Sequence, residues 1–162
     1  MAVAQDISRM HLHEELKLMR DIAKFYKWGV IPNFAELIVL VTMYSYTGDL
    51  FIVELRCDNY KEQPPLFEFI DPDSGERATK NAYPRTNDSL FHESGPCICA
   101  PFNRKAYKSI FNTGPHPDWN LGDWMTSKAN GCNWSNFSKL GDMLGLIQKR
   151  ISTPELYKGR MA

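Results

Sequence analysis

The chain lacks long hydrophobic runs, and its longest purely aliphatic stretch covers residues 37–41. That length is far below what a bilayer crossing needs, so we expect no membrane-spanning segment. The chain also lacks an excess of either charge, because 19 basic and 19 acidic residues leave a formal net charge of zero. This neutrality argues against a broad electrostatic grip on nucleic acid or on an anionic membrane surface.

Signal-peptide features and cysteines are also scarce. The N-terminus has no basic stretch followed by an apolar block, and the chain holds only four cysteines. We therefore expect no secretory signal and a cytoplasmic, reducing compartment, where cysteines are more often thiols or metal ligands than disulfides. A hydrophobic content of 43% in 162 residues predicts one domain over residues 1–162 with a substantial core.

Apolar residues recur at helical spacing in two places. The first helix is predicted between Ser8, a suitable cap, and the break formed by Gly29 and Pro32. A second apolar stripe begins at Leu140 in the C-terminal part, with Ser135 or Ser138 as a cap, and ends at Pro154. Beyond it, Thr153 and Pro154 predict the start of one more short helix.

Between these helices lie three short β-branched or aromatic runs, residues 36–44, 51–56 and 66–70, separated by turn residues. Such runs predict an antiparallel meander. The acidic stretch at residues 71–76 has the wrong glycine position for a calcium loop, so we interpret it as a plain turn. The order of helix, meander, long loop and helix predicts an α+β fold with helices packed on an antiparallel sheet.

Residues 77–131 have little periodicity, but they hold five prolines and several large aromatic residues. Apolar surface of this kind favours an ordered loop over a flexible linker, and long ordered loops in compact domains are often functional. The stretch GPCICAPF, residues 95–102, lies within it. Its two cysteines allow three interpretations: a metal clip, a redox pair, or one working thiol with a neighbour.

In an extended segment, Cys97 and Cys99 point to one side and Ile98 to the other. We interpret Ile98 as a core anchor, Cys97 as a small buried side chain, and Cys57 as ordinary packing. A Cys-x-Cys spacing is unusual for structural zinc, and so short a loop strains disulfide geometry. The zinc interpretation would draw on His92, Cys97, Cys99, His116 and Cys132.

Three motifs carry a resemblance to a known family. Pro64 and Pro65 precede a hydrophobic strand, a cysteine follows Ile98 in GPCICA, and Trp134-Ser135 precedes a helix with Ile-Gln near its middle. In this order, the motifs resemble the ubiquitin-conjugating enzyme family over roughly residues 8–151. The resemblance implies that fold, with the N-terminal helix, the meander, a cysteine-bearing loop and a C-terminal helix.

Two departures place the chain closer to the bacterial branch of that family. Family members usually carry His-Pro-Asn before the cysteine, whereas only His92 occupies that region here, and Asn136 stands where proline is usual. The tryptophan also follows Cys99 at unusual distance, which implies an insertion at about residues 101–131. Bacterial relatives work with small ubiquitin-like modifiers, so the resemblance implies a bacterial setting consistent with antiviral defence.

The resemblance implies a transferase that forms a thioester. An activating enzyme would pass a ubiquitin-like modifier to Cys99, which would transfer it to an amine of a target protein, with no cofactor and no metal. Amine attack develops charge on the carbonyl oxygen, and the possible donors are Asn103, Asn87 and backbone N–H groups. His116 or Asp118 would orient or deprotonate the arriving lysine. The simpler interpretation is that Asp118 caps a turn and His116 packs against its neighbours.

Two other classes stay open. The missing His-Pro-Asn suits a non-catalytic relative that binds a ubiquitin-like protein or scaffolds a conjugation complex. Cys99, His116 and Asp118 also have the residue types of a cysteine hydrolase. For the insertion, we predict an ordered cover beside Cys99 that helps to select the acceptor.

Overall fold

The computed structural model describes residues 2–125 and 139–162, and this part of the chain is an α+β structure built on an antiparallel sheet. The sheet has four strands in the order β1-β2-β3-β4, each antiparallel to the next. The predicted antiparallel meander is therefore confirmed, but with one strand more than expected. The strands are β1 (Gly29–Asn33), β2 (Ile38–Tyr44), β3 (Leu50–Arg56) and β4 (Leu66–Ile70).

The additional strand, β1, lies where the sequence analysis placed only a helix-breaking segment. Gly29 and Pro32 do end the helical region, but the same residues then pair with β2, Gly29 with Thr42 and Pro32 with Val39. Proline is tolerated because β1 is an edge strand, where one side of the backbone needs no partner. The strand is mostly exposed, so it has no apolar alternation that the sequence could display.

One face of the sheet carries the core. Val41, Val53 and Phe69 are paired in one row across β2, β3 and β4, and all three are fully buried. At the β2–β3 turn, Gly48 adopts a φ of 88°, which glycine accommodates without a Cβ clash. On the opposite face, the buried carboxylate of Glu54 accepts hydrogen bonds from Arg56 and Arg77, which offset the cost of its desolvation.

Three helices pack around this sheet within the described residues: α1 (Ala2–Leu18), α2 (Arg20–Tyr26) and α3 (Leu140–Ser152). The prediction that Ser8 caps the first helix is wrong, because α1 begins at Ala2 and Ser8 is buried within it. Gln148 on α3 accepts a hydrogen bond of 2.7 Å from the indole of Trp28. The predicted caps Ser135 and Ser138 lie outside the described residues.

A buried carboxylate connects α1 to the N-terminus of α3. Glu15 is 1% exposed, and it accepts hydrogen bonds from the hydroxyl of Tyr60 at 2.8 Å and the backbone N–H of Leu140 at 3.3 Å. Lys61 lies 3.2 Å from the same carboxylate and compensates its charge. A negative charge at a helix N-terminus is also favoured by the helix dipole.

The short helix predicted at Thr153 and Pro154 is wrong. Residues 154–156 form a single turn, in which the carbonyl of Thr153 accepts from Leu156 and Tyr157, and strand β8 (Tyr157–Arg160) follows. This strand pairs with β5 (Pro84–Thr86), and the following Met161 bonds to the carbonyl of Tyr83. The buried Tyr157 makes the extended path favourable, because its ring packs edge-on against Phe51.

None of the helices in residues 2–125 and 139–162 is both long enough and apolar enough to cross a bilayer.

Candidate active site

The two neighbouring cysteines lie at the end of a small hairpin formed by β6 (Phe91–His92) and β7 (Cys97–Ile98). Phe91 pairs with Ile98, and His92 pairs with Cys97. Ile98 is fully buried and Cys97 is 2% exposed, whereas Cys99 is half-buried. The predicted roles of Ile98 as core anchor and Cys97 as buried side chain agree with this placement, and Cys99 is the sulfur offered toward solvent.

Asn103 holds this hairpin against the main sheet. Its side chain is fully buried, and its oxygen accepts from the backbone N–H of Phe67 on β4 at 2.9 Å. Its amide nitrogen donates to the carbonyl of Ile98 at 2.9 Å and lies 3.9 Å from the sulfur of Cys97. The oxygen also accepts from Lys105 N–H and so caps a 3₁₀ turn over Arg104–Ala106. The donors of Asn103 are thus committed to the fold instead of pointing to solvent beside Cys99.

Ionic contacts reinforce the same junction. The buried Arg104 donates to both carboxylate oxygens of Asp58, at 2.8 and 3.1 Å, and to the side-chain oxygen of Gln63. The next residue, Lys105, forms an ion pair with Glu68 on β4. These bonds bring the chain after Cys99 back to the edge of the sheet, so the thiol lies on a rigid support.

The two thiols have opposite electrostatic character. Interaction with Cys97 lowers the pKa of Cys99 below its usual value, against the effect of burial, and the backbone N–H of His92 acts in the same direction. The interaction with Cys99, together with burial, raises the pKa of Cys97. Of the two thiols, Cys99 is thus the one whose ionisation is favoured. The Cys97 sulfur lies 3.6 Å from the carbonyl of Ile98, and the Cys99 sulfur lies 3.9 Å from the carbonyl of Cys97. A thiolate is the reactive form of cysteine.

The insertion, residues 101–131, is described as far as residue 125, and this part packs closely. Phe102 and Tyr107 are buried, and Tyr107 donates a hydrogen bond of 2.6 Å to the carbonyl of Pro101. The chain returns beside Tyr107 at Gly114, where a Cβ would lie 2.6 Å from the Tyr107 backbone. Trp124 is 3% exposed and contacts the ring of Tyr60.

His116 is positioned by this returning segment. Its backbone bonds to Ala106 and Lys108, and its ring stacks on Trp119 with a centroid distance of 3.5 Å. Burial lowers the pKa of His116, whereas Asp118 acts in the opposite direction and His92 adds to the lowering. His116 is therefore mainly neutral near pH 7, as a proton acceptor must be.

Only some of the predicted site residues interact with Cys99. His92 interacts with Cys99 through its backbone, whereas its ring bonds to Ser94 and Gly95 and acts on His116 through its charge. Asp118 is exposed, and among the described residues no hydrogen bond joins Cys99 to His116. Asn87 is directed elsewhere, because its amide donates to the carbonyl of Glu155.

The described residues bear on the metal-clip and disulfide interpretations of the cysteine pair. Cys57, Cys97 and Cys99 are free thiols, and Cys57 is fully buried, with burial raising its pKa to about 12. Within residues 2–125 and 139–162, no three histidine, cysteine or carboxylate side chains are arranged to hold a metal ion. Cys132, which the zinc interpretation would use, lies outside these residues, as do Trp134 and Ser135.

Three residues that act electrostatically on the thiols were not identified from the sequence: Tyr83, Glu68 and Lys105. Tyr83 is fully buried, and its ring packs edge-on against Phe69. Glu68 is the polar member of an otherwise apolar strand, and that interruption was the only local signal for it. Contacts across the fold give all three their positions.

Comparisons with known proteins add no relative: no family model, curated protein or solved structure matches this chain.

Proposed function

We propose that this protein is a conjugating enzyme that accepts a ubiquitin-like modifier from an activating enzyme as a thioester on Cys99. It then transfers the modifier to an amine of a target protein. The observation that carries the proposal is the asymmetric thiol pair: Cys99 is half-buried with a lowered pKa, while Cys97 is buried with a raised pKa. Thioester exchange needs an accessible sulfur that ionises readily and also leaves readily.

The reaction balances through two exchanges at Cys99. In the first, the Cys99 thiolate attacks the modifier's C-terminal thioester carbonyl and displaces the thiolate of the activating enzyme. In the second, a target amine attacks the new thioester, the C–S bond breaks, and the amine proton passes to a base. The stacked, mainly neutral His116 is suited to accept that proton. Because Asn103 is bonded within the fold, a backbone N–H is the better assignment for the oxyanion donor.

Loading of the thiol tests this proposal directly. Purified protein incubated with an activating enzyme, its modifier and ATP is expected to form an adduct that reductant removes. Cys99→Ala is expected to abolish the adduct, and Cys99→Ser to replace it with a reductant-resistant ester. Cys97→Ala is the matched control and should still load. A reductant-sensitive adduct that persists in Cys99→Ala would assign the thioester to another cysteine and refute the proposal.

A second candidate is a non-catalytic relative that binds a ubiquitin-like protein or scaffolds a conjugation complex. The commitment of Asn103 to the fold favours it, since the described residues include no free side-chain amide beside Cys99. Labelling with a thiol reagent under native conditions separates the two candidates. Rapid labelling of Cys99 supports the enzyme, whereas labelling only in denaturant supports the binding protein.

A further inference from the structure

An apolar groove lies between the helices α1 and α2 and the edge strand β1. Its volume is about 310 Å³, near the lower end of the range of ligand pockets. The buried Met19 and Trp28 form its base, and the exposed Arg20 and Lys24 stand at its rim. The other lining residues are Leu16, Ala23 and Val30, so none of the described lining residues is acidic.

Backbone hydrogen bonds hold this groove in shape. Met19 continues the helical path from α1 into α2, because it donates to the carbonyl of Glu15 at 3.0 Å and accepts from Ala23 at 2.9 Å. Lys27 then adopts a φ of 58° and ends α2. The next N–H, that of Trp28, bonds to the carbonyl of Ala23 at 2.9 Å. The groove is therefore formed before any partner arrives, which lowers the entropy cost of binding.

Four exposed cations follow one flank of this helical path: Lys17, Arg20, Lys24 and Lys27. Spacings of three or four positions keep helical side chains on one face. Within residues 2–125 and 139–162, none of the four takes part in an ion pair. The rim of the groove thus carries local positive charge, although the chain as a whole has none.

This combination of charge and shape separates the kinds of occupant. A second copy docked symmetrically would set these cations against the same cations. For a lipid surface, the exposed apolar side chains should share a face with the cations, but Leu18 and Phe25 recur with Asp21 on another flank. A small molecule usually needs several converging polar groups. A peptide that has an aliphatic side chain between carboxylates matches both the base and the rim.

We propose that the groove docks an acidic segment of a partner protein. An aliphatic side chain of that segment lies on Met19 and Trp28, and the flanking carboxylates pair with Arg20 and Lys24. Burial of the aliphatic side chain supplies most of the affinity, and the cations supply selectivity and a faster encounter.

The groove and the thiol lie at opposite edges of the sheet. The groove borders β1, whereas the cysteine hairpin is attached at β4 through the bond from Phe67 to Asn103. A docked segment therefore leaves Cys99 accessible, and the inference does not depend on the proposed function.

Fluorescence anisotropy of a fluorescein-labelled peptide with repeated Glu-Glu-Leu units tests the proposal. Saturable binding is expected at low salt, and added salt should weaken it. The double change Arg20→Glu and Lys24→Glu is expected to weaken binding about tenfold. A peptide with serine in place of leucine should lose tenfold or more, because about 1.5–3 kcal/mol accompanies the burial of a leucine.

The matched control is Lys80→Glu with Lys158→Glu, which changes the net charge equally at exposed positions outside the groove. It should bind the peptide like the unmodified protein. No saturable binding by the unmodified protein, or equal losses in the two double variants, would overturn the proposal. Binding to phosphatidylserine vesicles without peptide binding would assign the surface to lipid and also overturn it. Because no thiol or modifier takes part, each result is distinguishable from failure of the proposed function.

Discussion

Replacement of Asn103 by alanine gives the sharpest test of how the site is held. The change leaves the buried N–H of Phe67, now bonded at 2.9 Å, without its partner, and it removes one hydrogen bond from the Ile98 carbonyl, which still accepts from the N–H of Ala100 at 3.0 Å. An unsatisfied buried group costs about 1–3 kcal/mol, and a hydrogen bond lost from a group that keeps a partner costs about 0.5–1.5 kcal/mol. Asn103→Ala is therefore expected to reduce the free energy of unfolding by about 1.5–4.5 kcal/mol, a large share of the roughly 5–15 kcal/mol of a typical domain.

Urea unfolding followed by far-UV circular dichroism measures this loss. Asn87→Ala is the matched control, because its exposed amide makes one hydrogen bond, to Glu155. That control is expected to lose less than about 1 kcal/mol. Release of the hairpin should also expose Cys97, so its labelling by a thiol reagent should accelerate in Asn103→Ala and stay slow in the control. A loss below about 1 kcal/mol in Asn103→Ala, with Cys97 still protected, would refute the conclusion that Asn103 holds the hairpin against the main sheet.

Two further predictions concern the packing around this site. Glu15→Ala removes the acceptor that the Tyr60 hydroxyl and the Leu140 N–H share and is expected to lower the free energy of unfolding by about 3–5 kcal/mol. The exposed Glu14→Ala is expected to change it little, and equal losses in urea titrations would contradict the network. The double change Trp119→Ala and Trp124→Ala should loosen the insertion, because a buried tryptophan truncated to alanine costs about 3–5 kcal/mol. Transfer of the modifier from Cys99 to an amine should then fall more than loading of Cys99 does. Equal losses in the two steps would indicate general destabilisation, and no loss in either step would show that the insertion has no role in the reaction.

The sequence alone was sufficient for the elements with a clear period. β2 alternates buried and half-buried residues, and α3 carries Leu140, Met143, Leu144, Ile147 and Ile151 on its buried stripe, so both were predicted from local patterns. Local patterns failed where a neighbour decides the conformation. Gly29–Asn33 becomes a strand because β2 offers it an edge, and Tyr157–Arg160 becomes a strand because β5 does.

The same division holds for the site. In the sequence, Cys99 was selected as the thiol to examine through the resemblance that GPCICA and two other motifs carry, because alternation around Ile98 puts Cys97 and Cys99 on the same side and cannot separate them. The burial of Cys97 was expected from the sequence, but tertiary structure alone decided that Asn103 is bonded to Phe67, 36 positions away. It also packed the fully buried Tyr83 edge-on against Phe69. Burial, hydrogen-bond satisfaction and electrostatic coupling depend on which distant segments meet, and a pattern of neighbouring residues carries no record of that.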